Sequence, residues 1–179
     1  MKDNHANFEK RNQIKEKDVI EYVLQRFDDA KCSNKIQNLV KFQTLNKYML
    51  MAHDQTMLKK LGNIVASYKK IPFLELWEEY EKCLKNTMKK EPTIKTHTNV
   101  IMHIFGYFSN SLSQNEKQLF FRLIEEFRNN RISIGGILLE INLITYRFDN
   151  MYLASQTYIL LYSDVQSRII FQPTNKNNI

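Results

Sequence analysis

The chain has 179 residues, 43% of them hydrophobic and 25% charged, which is enough for one domain that buries about two thirds of its unfolded surface. Its four glycines and three prolines largely exclude a β-sandwich, a phosphate loop and a dinucleotide fingerprint, because each needs glycine at fixed turns. The net charge is +7, and residues 1–90 carry 18 basic and 12 acidic groups. Such a basic half favours a polyanionic partner, although lysines on a solvated helical surface give the same composition.

Apolar residues recur at helical spacing along most of the chain. In chain order, the pattern predicts helices over 19–31, from Ser33 or Asn34 to about His53, from Asp54 to Tyr68, from Pro72 to about Leu84, from Thr93 or Thr96 to Phe108, over 116–128, over 137–144 and over 152–162. The fifth helix is too apolar for a surface helix, so we expect it to be central. Gly135 and Gly136 are expected in an irregular segment before the seventh helix.

These elements predict an all-α fold, a single compact multi-helix domain of about seven or eight helices over residues 17–171. A flexible polar N-terminus is expected over 1–16 and a flexible tail over 172–179. The sequence starts without an apolar leader and has no run of about 18 apolar residues. We therefore expect a cytoplasmic protein with no membrane contact.

Polar groups interrupt the apolar fifth helix at a regular interval. Asn99, His103 and Tyr107 are spaced i, i+4, i+8 and share one stripe. Such a stripe either satisfies its own hydrogen bonds in the core or lines a ligand pocket, and both alternatives stay open. Gly106, beside the stripe, is expected to permit close approach of another helix or of a ligand.

Metal and covalent chemistry find little support. His97 and His103 lie about 240° apart around a helix, so they do not share a face for a metal ion. Cys32 and Cys83 have no CxxC spacing and are expected to be reduced thiols. We expect no metal and no cofactor, and no catalytic residue is assigned, because no GxSxG or HExxH motif occurs.

A second candidate patch lies on the second predicted helix, where Gln43 and Lys47 are one turn apart and His53 ends the element. Lysines around it could follow a phosphate backbone, and tyrosines such as Tyr152 could stack on exposed bases. Gln156, one turn after Tyr152, offers an amide for a base edge. The alternative is that the lysines lie on ordinary exposed faces and the tyrosines pack in the core.

With these residues assembled, the sequence resembles the YbgA family, a helical domain of unknown function found alone in bacteria or fused behind a cysteine-rich desulfidase domain. The resemblance runs from about Val19 to Ile170. Its motifs are Phe42–His53 (FQTLNKYMLMAH), Leu61-Gly62, Val65-Ala66, His97-Thr-Asn-Val100, His103, Gly106-Tyr-Phe108, Leu112, Glu116-Lys117, Tyr152-Leu, Gln156 and Tyr158.

The resemblance implies a connection with tRNA, because the fused desulfidases remove sulfur from thiolated uracil, including 4-thiouridine, and the YbgA-like part is expected to bind the RNA. Their iron–sulfur cluster needs three cysteines, and this chain has two. Its expected partners are therefore RNA or a separate desulfidase. The chain departs from the family at Gln43, where a histidine is usual, and over Ile132 to Arg147, which lacks the usual proline and later histidine.

The first hypothesis is thus a non-catalytic module that binds RNA, most of all tRNA. Its candidate binding residues are Gln43, Lys47, His53, His97, Asn99, His103, Tyr107, Tyr152 and Gln156. A second hypothesis is a small enzyme for a nucleobase-like substrate that uses His97, Asn99 and His103, with His103 as the acid–base group. A third is an adaptor that docks a partner protein through a helical face.

Overall fold

A computed structural model describes residues 14–163, and this part of the chain is helical without any strand. Eight helices have seven or more residues and two are short. They are α1 (Glu16–Cys32), α2 (Ile36–Leu45), α3 (Lys47–His53), α4 (Gln55–Ala66), α5 (Phe73–Met88), α6 (Ile94–Phe105), α7 (Gln114–Arg128), α8 (Ile134–Arg147), α9 (Met151–Ala154) and α10 (Thr157–Tyr162). The predicted all-α class is confirmed. Residues 1–13 of the predicted N-terminal segment and the predicted tail over 172–179 lie outside the described residues, whereas Ile14 packs against the core.

The short helix α3 is the centre of the fold. All its residues except Lys47 are buried, and it packs against α2, α4, α5, α6 and α10. A helix that is buried on every side needs an apolar surface all round, and α3 provides it with Tyr48, Met49, Leu50 and Met51. The expectation that α6 would be central is therefore wrong. One face of α6 is buried, and Met102 on its other face is 40% exposed.

Aromatic rings join the N-terminal helices to α5. Phe27 of α1 lies 5.6 Å from Phe42 of α2, 5.5 Å from Tyr80 and 5.8 Å from Trp77, measured between ring centroids. All four rings are at most 3% exposed. Burying such side chains contributes about 1.5–3 kcal/mol each, so this cluster holds α2, and the start of α3 behind it, in a fixed place.

Side-chain caps begin several helices where the sequence predicts them. Asp54 accepts hydrogen bonds from the backbone of Thr56 and Met57 at the start of α4. Thr93 caps α6, and Ser113 forms the predicted capping box with Glu116. In contrast, the expected irregular segment around Gly135 and Gly136 belongs to α8, because Ser133 accepts a hydrogen bond from the Gly136 amide at 3.0 Å and caps that helix.

Two helices predicted to be continuous are broken. The helix expected to run to His53 divides at Asn46, whose side-chain amide donates to the Phe42 carbonyl at 2.9 Å, a local bond that competes with regular helix geometry. The helix expected over 152–162 divides before Gln156, which has extended backbone with ψ of 124°. The two short helices that follow these breaks, α3 and α10, pack against each other.

Candidate functional site

A small open pocket lies where α2, α3, α4 and α9 meet. It has a volume of about 280 Å³ and is lined by Gln43, Thr44, Lys47, Leu58 and Tyr152. We call it the tyrosine pocket. Gln43 and Lys47 reach the same pocket although α2 ends between them, because the chain at Asn46 stays close to helical and passes directly into α3.

Three tyrosines form one wall of this region. The Tyr107 ring stacks on the Tyr152 ring with centroids 5.7 Å apart, and the Tyr48 ring meets Tyr152 edge-on at 6.5 Å. Burial, together with the nearby phenol of Tyr107, raises the pKa of Tyr152 to about 12 and raises that of Tyr48 further. Tyr48 and Tyr152 are therefore neutral aromatic rings at neutral pH. Tyr48 is buried, whereas Tyr107 is 47% exposed.

The polar stripe of α6 leads away from these tyrosines along the surface. Asn99 is half-buried and its amide donates to Gln55 Oε1 of α4 at 3.2 Å, while His103 is exposed one turn later. The stripe is therefore open to solvent rather than sealed in the core. Lys95 extends it by one turn toward the start of α6, and Lys59 lies one turn after Gln55 on α4.

Positive charge on this surface is uncompensated. Lys47, Lys59 and Lys95 form no ion pair with any residue in 14–163. The Lys47 ammonium instead lies 5.4 Å from the centre of the Tyr48 ring, within cation–π range. Ammonium groups without carboxylate partners are available to an anionic ligand.

Gly106 is exposed at the end of α6, beside the stripe. A Cβ at this position would meet only the carbonyl oxygens of His103 and Met102, at 3.3 and 3.9 Å. Within residues 14–163 no other helix approaches it closely, so the part of the prediction that concerned a neighbouring helix is wrong. The expected approach of a ligand stays a prediction.

His53 takes part in a buried cluster on the opposite side of α3. It is 3% exposed, its Nδ1 lies 2.6 Å from the Lys90 carbonyl, and its Nε2 lies 3.2 Å from Glu16 Oε1. Glu16 also accepts a hydrogen bond from the Tyr162 hydroxyl at 2.7 Å. Burial acts to raise the pKa of Glu16, but the hydrogen bonds from His53 and Tyr162 outweigh it and lower that pKa. His53 thus connects α1, α3 and α10 and presents nothing to a surface ligand.

His97 also faces inward. Its Nδ1 lies 2.7 Å from the Tyr158 hydroxyl, and its ring touches those of Phe127 and Tyr162. Burial lowers the pKa of His97 to about 4, although the charge of Glu16 acts in the other direction. His97 is neutral at neutral pH and does not converge with Asn99 and His103, as the enzyme hypothesis would require.

Gln156 is the third predicted site residue that lies in the core. It is fully buried and its Nε2 donates to the Thr44 carbonyl at 3.0 Å and to the Tyr152 carbonyl at 3.4 Å. These bonds tie the start of α10 to the end of α2 and to α9. Gln156 therefore supports the tyrosine pocket from behind and does not offer its amide to a base.

The structure thus brings Gln43, Lys47 and Tyr152 together in the pocket, with Tyr107, Asn99 and His103 along the adjoining surface. We call this surface, together with Lys59 and Lys95, the tyrosine face. Sequence reasoning missed three contributors, which are Thr44, Gln55 and Leu58. Helical spacing from Lys59 could have found Gln55, whereas nothing in the sequence indicates that Leu58 turns toward Tyr152.

Other types of site find no support in the described residues. No group of three or more histidine, cysteine or acidic side chains among residues 14–163 is placed to hold a metal ion. Cys32 is exposed and Cys83 is buried, and neither forms a disulfide. Within the same part of the chain, no helix is both long and apolar enough to cross a membrane.

Comparison with known proteins gives a family but no activity. The chain is 26% identical to the uncharacterized protein YbgA of Escherichia coli strain K12 over an alignment of 128 residues. This alignment covers 71% of the present chain and 76% of the Escherichia coli protein. No solved structure matches. Residues 47–163, which include α3, α6 and the tyrosine wall, match the model of a family described as a protein of unknown function, DUF1722. The chain therefore belongs to the DUF1722 family.

Proposed function

We propose that this protein is a non-catalytic RNA-binding module and that the tyrosine face holds the RNA. The observation that carries the proposal is the half-exposed Tyr107 ring stacked on Tyr152 at the edge of an open pocket. Proteins that bind single-stranded RNA combine such aromatic platforms with a basic surface that follows the phosphates. Lys47, Lys59 and Lys95 would supply that surface.

Among residues 14–163, the histidines of α6 do not converge on one point, and this supports a binding role over catalysis. His103 is exposed, whereas His97 is turned into the core and bonded to Tyr158. General acid–base catalysis needs the participating groups within reach of one substrate atom, and these two histidines are on different faces of α6. The positions of His97 and His103 therefore do not favour the hypothesis of a small enzyme.

The resemblance to the YbgA family supports tRNA as the RNA, in connection with thiolated-uridine metabolism, and a separate desulfidase as a further partner. Such a ligand would make this a protein of the bacterial cytoplasm. Loops and single-stranded ends of a tRNA carry unstacked bases, which are the usual targets of sequence-selective RNA binding. The half-exposed tyrosine and the pocket suit one such base.

The proposal is tested by titrating the full chain into labelled bulk tRNA and following fluorescence anisotropy between about 50 and 200 mM salt. We expect an affinity that falls steeply as salt increases. In the triple variant Lys47→Gln, Lys59→Gln, Lys95→Gln, the slope of log K against log salt should become shallower by about two to three, because each lysine that neutralises a phosphate contributes slightly less than one.

A matched triple variant controls for the loss of charge alone. Lys69→Gln, Lys70→Gln, Lys82→Gln removes the same charge from exposed lysines that form no ion pair in the described residues, and it should keep a slope close to that of the wild type. No binding, or an equal loss in both triples, would contradict the tyrosine face as the RNA site. Copurification with a cysteine-rich protein but without RNA would instead favour the hypothesis that the chain is an adaptor for a partner protein.

A further inference from the structure

The hydrogen bond between Tyr80 and Gln43 fixes which atoms the tyrosine pocket presents. Tyr80 is fully buried and its hydroxyl donates to Gln43 Oε1, the one hydrogen-bond partner of that hydroxyl among residues 14–163. With the amide turned over, Nε2 would face the hydroxyl oxygen and the phenol hydrogen would lose its acceptor in the core. A buried donor without a partner costs about 1–3 kcal/mol. Gln43 therefore keeps its oxygen toward Tyr80.

The consequence is that Gln43 offers its amide nitrogen to the pocket. Nε2 forms no hydrogen bond within the described residues, and it is not among the polar atoms that are sealed from solvent. The Lys47 ammonium, on the same pocket, is also unbonded. Thr44 Oγ1 donates its hydrogen to the Val40 carbonyl at 2.8 Å, so it adds no donor. The two strongest polar groups of the pocket are both donors.

The remaining walls suit a flat ring. Leu58 contributes an apolar side and Tyr152 an aromatic one. At about 280 Å³ the pocket is just below the range of about 300–1,000 Å³ that is typical of small-molecule sites. A single nucleobase fits this description, with the rest of the RNA continuing over Tyr107 and the stripe of α6.

Two neighbouring donors match a base edge with two neighbouring acceptors. Guanine presents O6 and N7, both acceptors, whereas adenine presents N7 beside the N6 amine, a donor. Uracil presents O2 and O4 on either side of the N3 donor, whereas cytosine presents an N4 amine on one edge and two neighbouring acceptors, O2 and N3, on its Watson–Crick edge. Resting on the proposed function, we infer that the tyrosine pocket is a base subsite that selects guanine over adenine and uracil, in which Gln43 Nε2 and Lys47 Nζ donate to O6 and N7 of an unpaired guanine.

The test compares single-stranded oligoribonucleotides of about seven nucleotides that differ in the central base within a uridine background, because uracil has no pair of neighbouring acceptors. We expect the wild-type chain to bind the central guanine about tenfold more tightly than the central adenine, since a matched bidentate pair discriminates by roughly that factor or more. Equal affinity for all central bases would overturn the inference but leave RNA binding intact. No binding to any of them would overturn the proposed function itself.

The variant Gln43→Glu tests the hydrogen-bond donor Nε2 of Gln43 separately from the rest of the pocket. It keeps an oxygen for the Tyr80 hydroxyl and nearly the same shape, but it replaces Nε2 with an acceptor. Its added negative charge weakens every complex, so the readout is the ratio of guanine to adenine affinity, which should fall to about one or invert. Gln118→Glu, on the exposed surface of α7, adds the same charge and should keep the wild-type ratio. An unchanged ratio in Gln43→Glu would overturn the assignment of Gln43.

Free nucleotides distinguish an RNA base from a small-molecule ligand. 5′-GMP and 5′-AMP should each bind far more weakly than the oligonucleotides, because they lack the phosphates that reach Lys59 and Lys95. GMP that binds as tightly as the oligonucleotide would support the guanine preference and overturn RNA as the ligand. Should Gln43→Glu unfold, as judged by its thermal transition, the wild-type ratio between central bases still decides the inference.

Discussion

The Tyr107 ring stacks on the Tyr152 ring, with 28° between their planes and 5.7 Å between their centroids. The contact joins the end of α6 to the short helix α9, 45 residues later in the chain. Because Tyr152 is held from below by Tyr48 of the central helix, the outer face of Tyr107 is a preorganised aromatic surface. Such a surface can stack on a ligand ring without first being ordered.

The first prediction concerns this outer ring. Tyr107→Ala should weaken RNA binding by about 1–3 kcal/mol, the usual contribution of one stacked base, which is about a 5-fold to 150-fold increase in Kd. Tyr107→Phe keeps the ring and should stay near the wild-type affinity. Fluorescence anisotropy with tRNA at one fixed salt concentration measures both variants.

A matched tyrosine controls for surface aromatics in general. Tyr146 of α8 is 90% exposed and takes no part in the tyrosine face, so Tyr146→Ala should bind RNA as the wild type does. An equal loss of affinity in Tyr146→Ala and Tyr107→Ala would contradict the assignment of the stacking site. So would wild-type affinity in Tyr107→Ala.

Local signals in the sequence were sufficient to predict the helical class and most helix starts. Asp54, Thr93 and Ser113 act as caps through bonds to residues two or three positions later, so their role is visible in the sequence alone. At the break before Gln156, the partner of the side chain is the Thr44 carbonyl, 112 residues away. Periodicity contains no information about such a partner, and the two short helices at the end were therefore predicted as one.

The candidate site was predictable to a similar degree. Spacing placed Asn99, His103 and Tyr107 on one stripe, and the structure shows that this stripe is open. Spacing could not show that His53 is sealed against Glu16 or that His97 bonds to Tyr158, because these contacts join helices distant in sequence. Residue type alone does not distinguish His53, His97 and His103 as candidate site residues. Tertiary packing does, because it buries the contacts of His53 and His97 and leaves His103 exposed.

The second prediction concerns Gly106. Its backbone is right-handed, with φ of −54° and ψ of −28°, so alanine fits without strain if the nearby His103 carbonyl shifts slightly. Gly106→Ala should raise the free energy of unfolding by about 0.4–1 kcal/mol, because alanine lowers the entropy of the unfolded chain. Urea denaturation measures this change. RNA affinity should fall at the same time if the glycine lets the ligand approach the end of α6.

The free energy of unfolding and the RNA affinity of Gly106→Ala test different parts of this prediction. Higher stability with unchanged RNA affinity would refute the role of Gly106 in ligand approach. Lower stability would show that the contact of 3.3 Å between the added Cβ and the His103 carbonyl cannot relax, contrary to our expectation.

The third prediction concerns the buried amide behind the pocket. Gln156→Ala removes the hydrogen bonds to the Thr44 and Tyr152 carbonyls and leaves a small cavity, so it should lower the free energy of unfolding by about 1–3 kcal/mol. Gln118→Ala, on an exposed face, should change it by no more than about 0.5 kcal/mol. Similar unfolding free energies for the two variants, measured in urea, would contradict a structural role for Gln156.

The fourth prediction concerns the pH dependence of stability. Burial lowers the pKa of His97 to about 4, whereas an unfolded histidine has a pKa of about 6.5. Between these values the unfolded chain binds a proton that the folded chain does not, so acid favours unfolding. The contribution of His97 to stability is complete above pH ~6.5 and declines as the pH falls toward about 4.

When the pH is lowered from ~7.5 to ~5, His97 takes up a proton in the unfolded chain but not in the folded one. This difference should lower the free energy of unfolding by about 2 kcal/mol. His97→Gln keeps a hydrogen-bonding side chain but cannot titrate, so the variant should lose that part of the pH dependence. Urea denaturation at both pH values measures the difference. Glu16 contributes little in this range, because the pKa of an unfolded glutamate, about 4.3, and its lowered folded pKa both lie below pH ~5. A pH dependence of His97→Gln equal to that of the wild type would show that His97 is not the buried neutral group inferred from its contact with Tyr158.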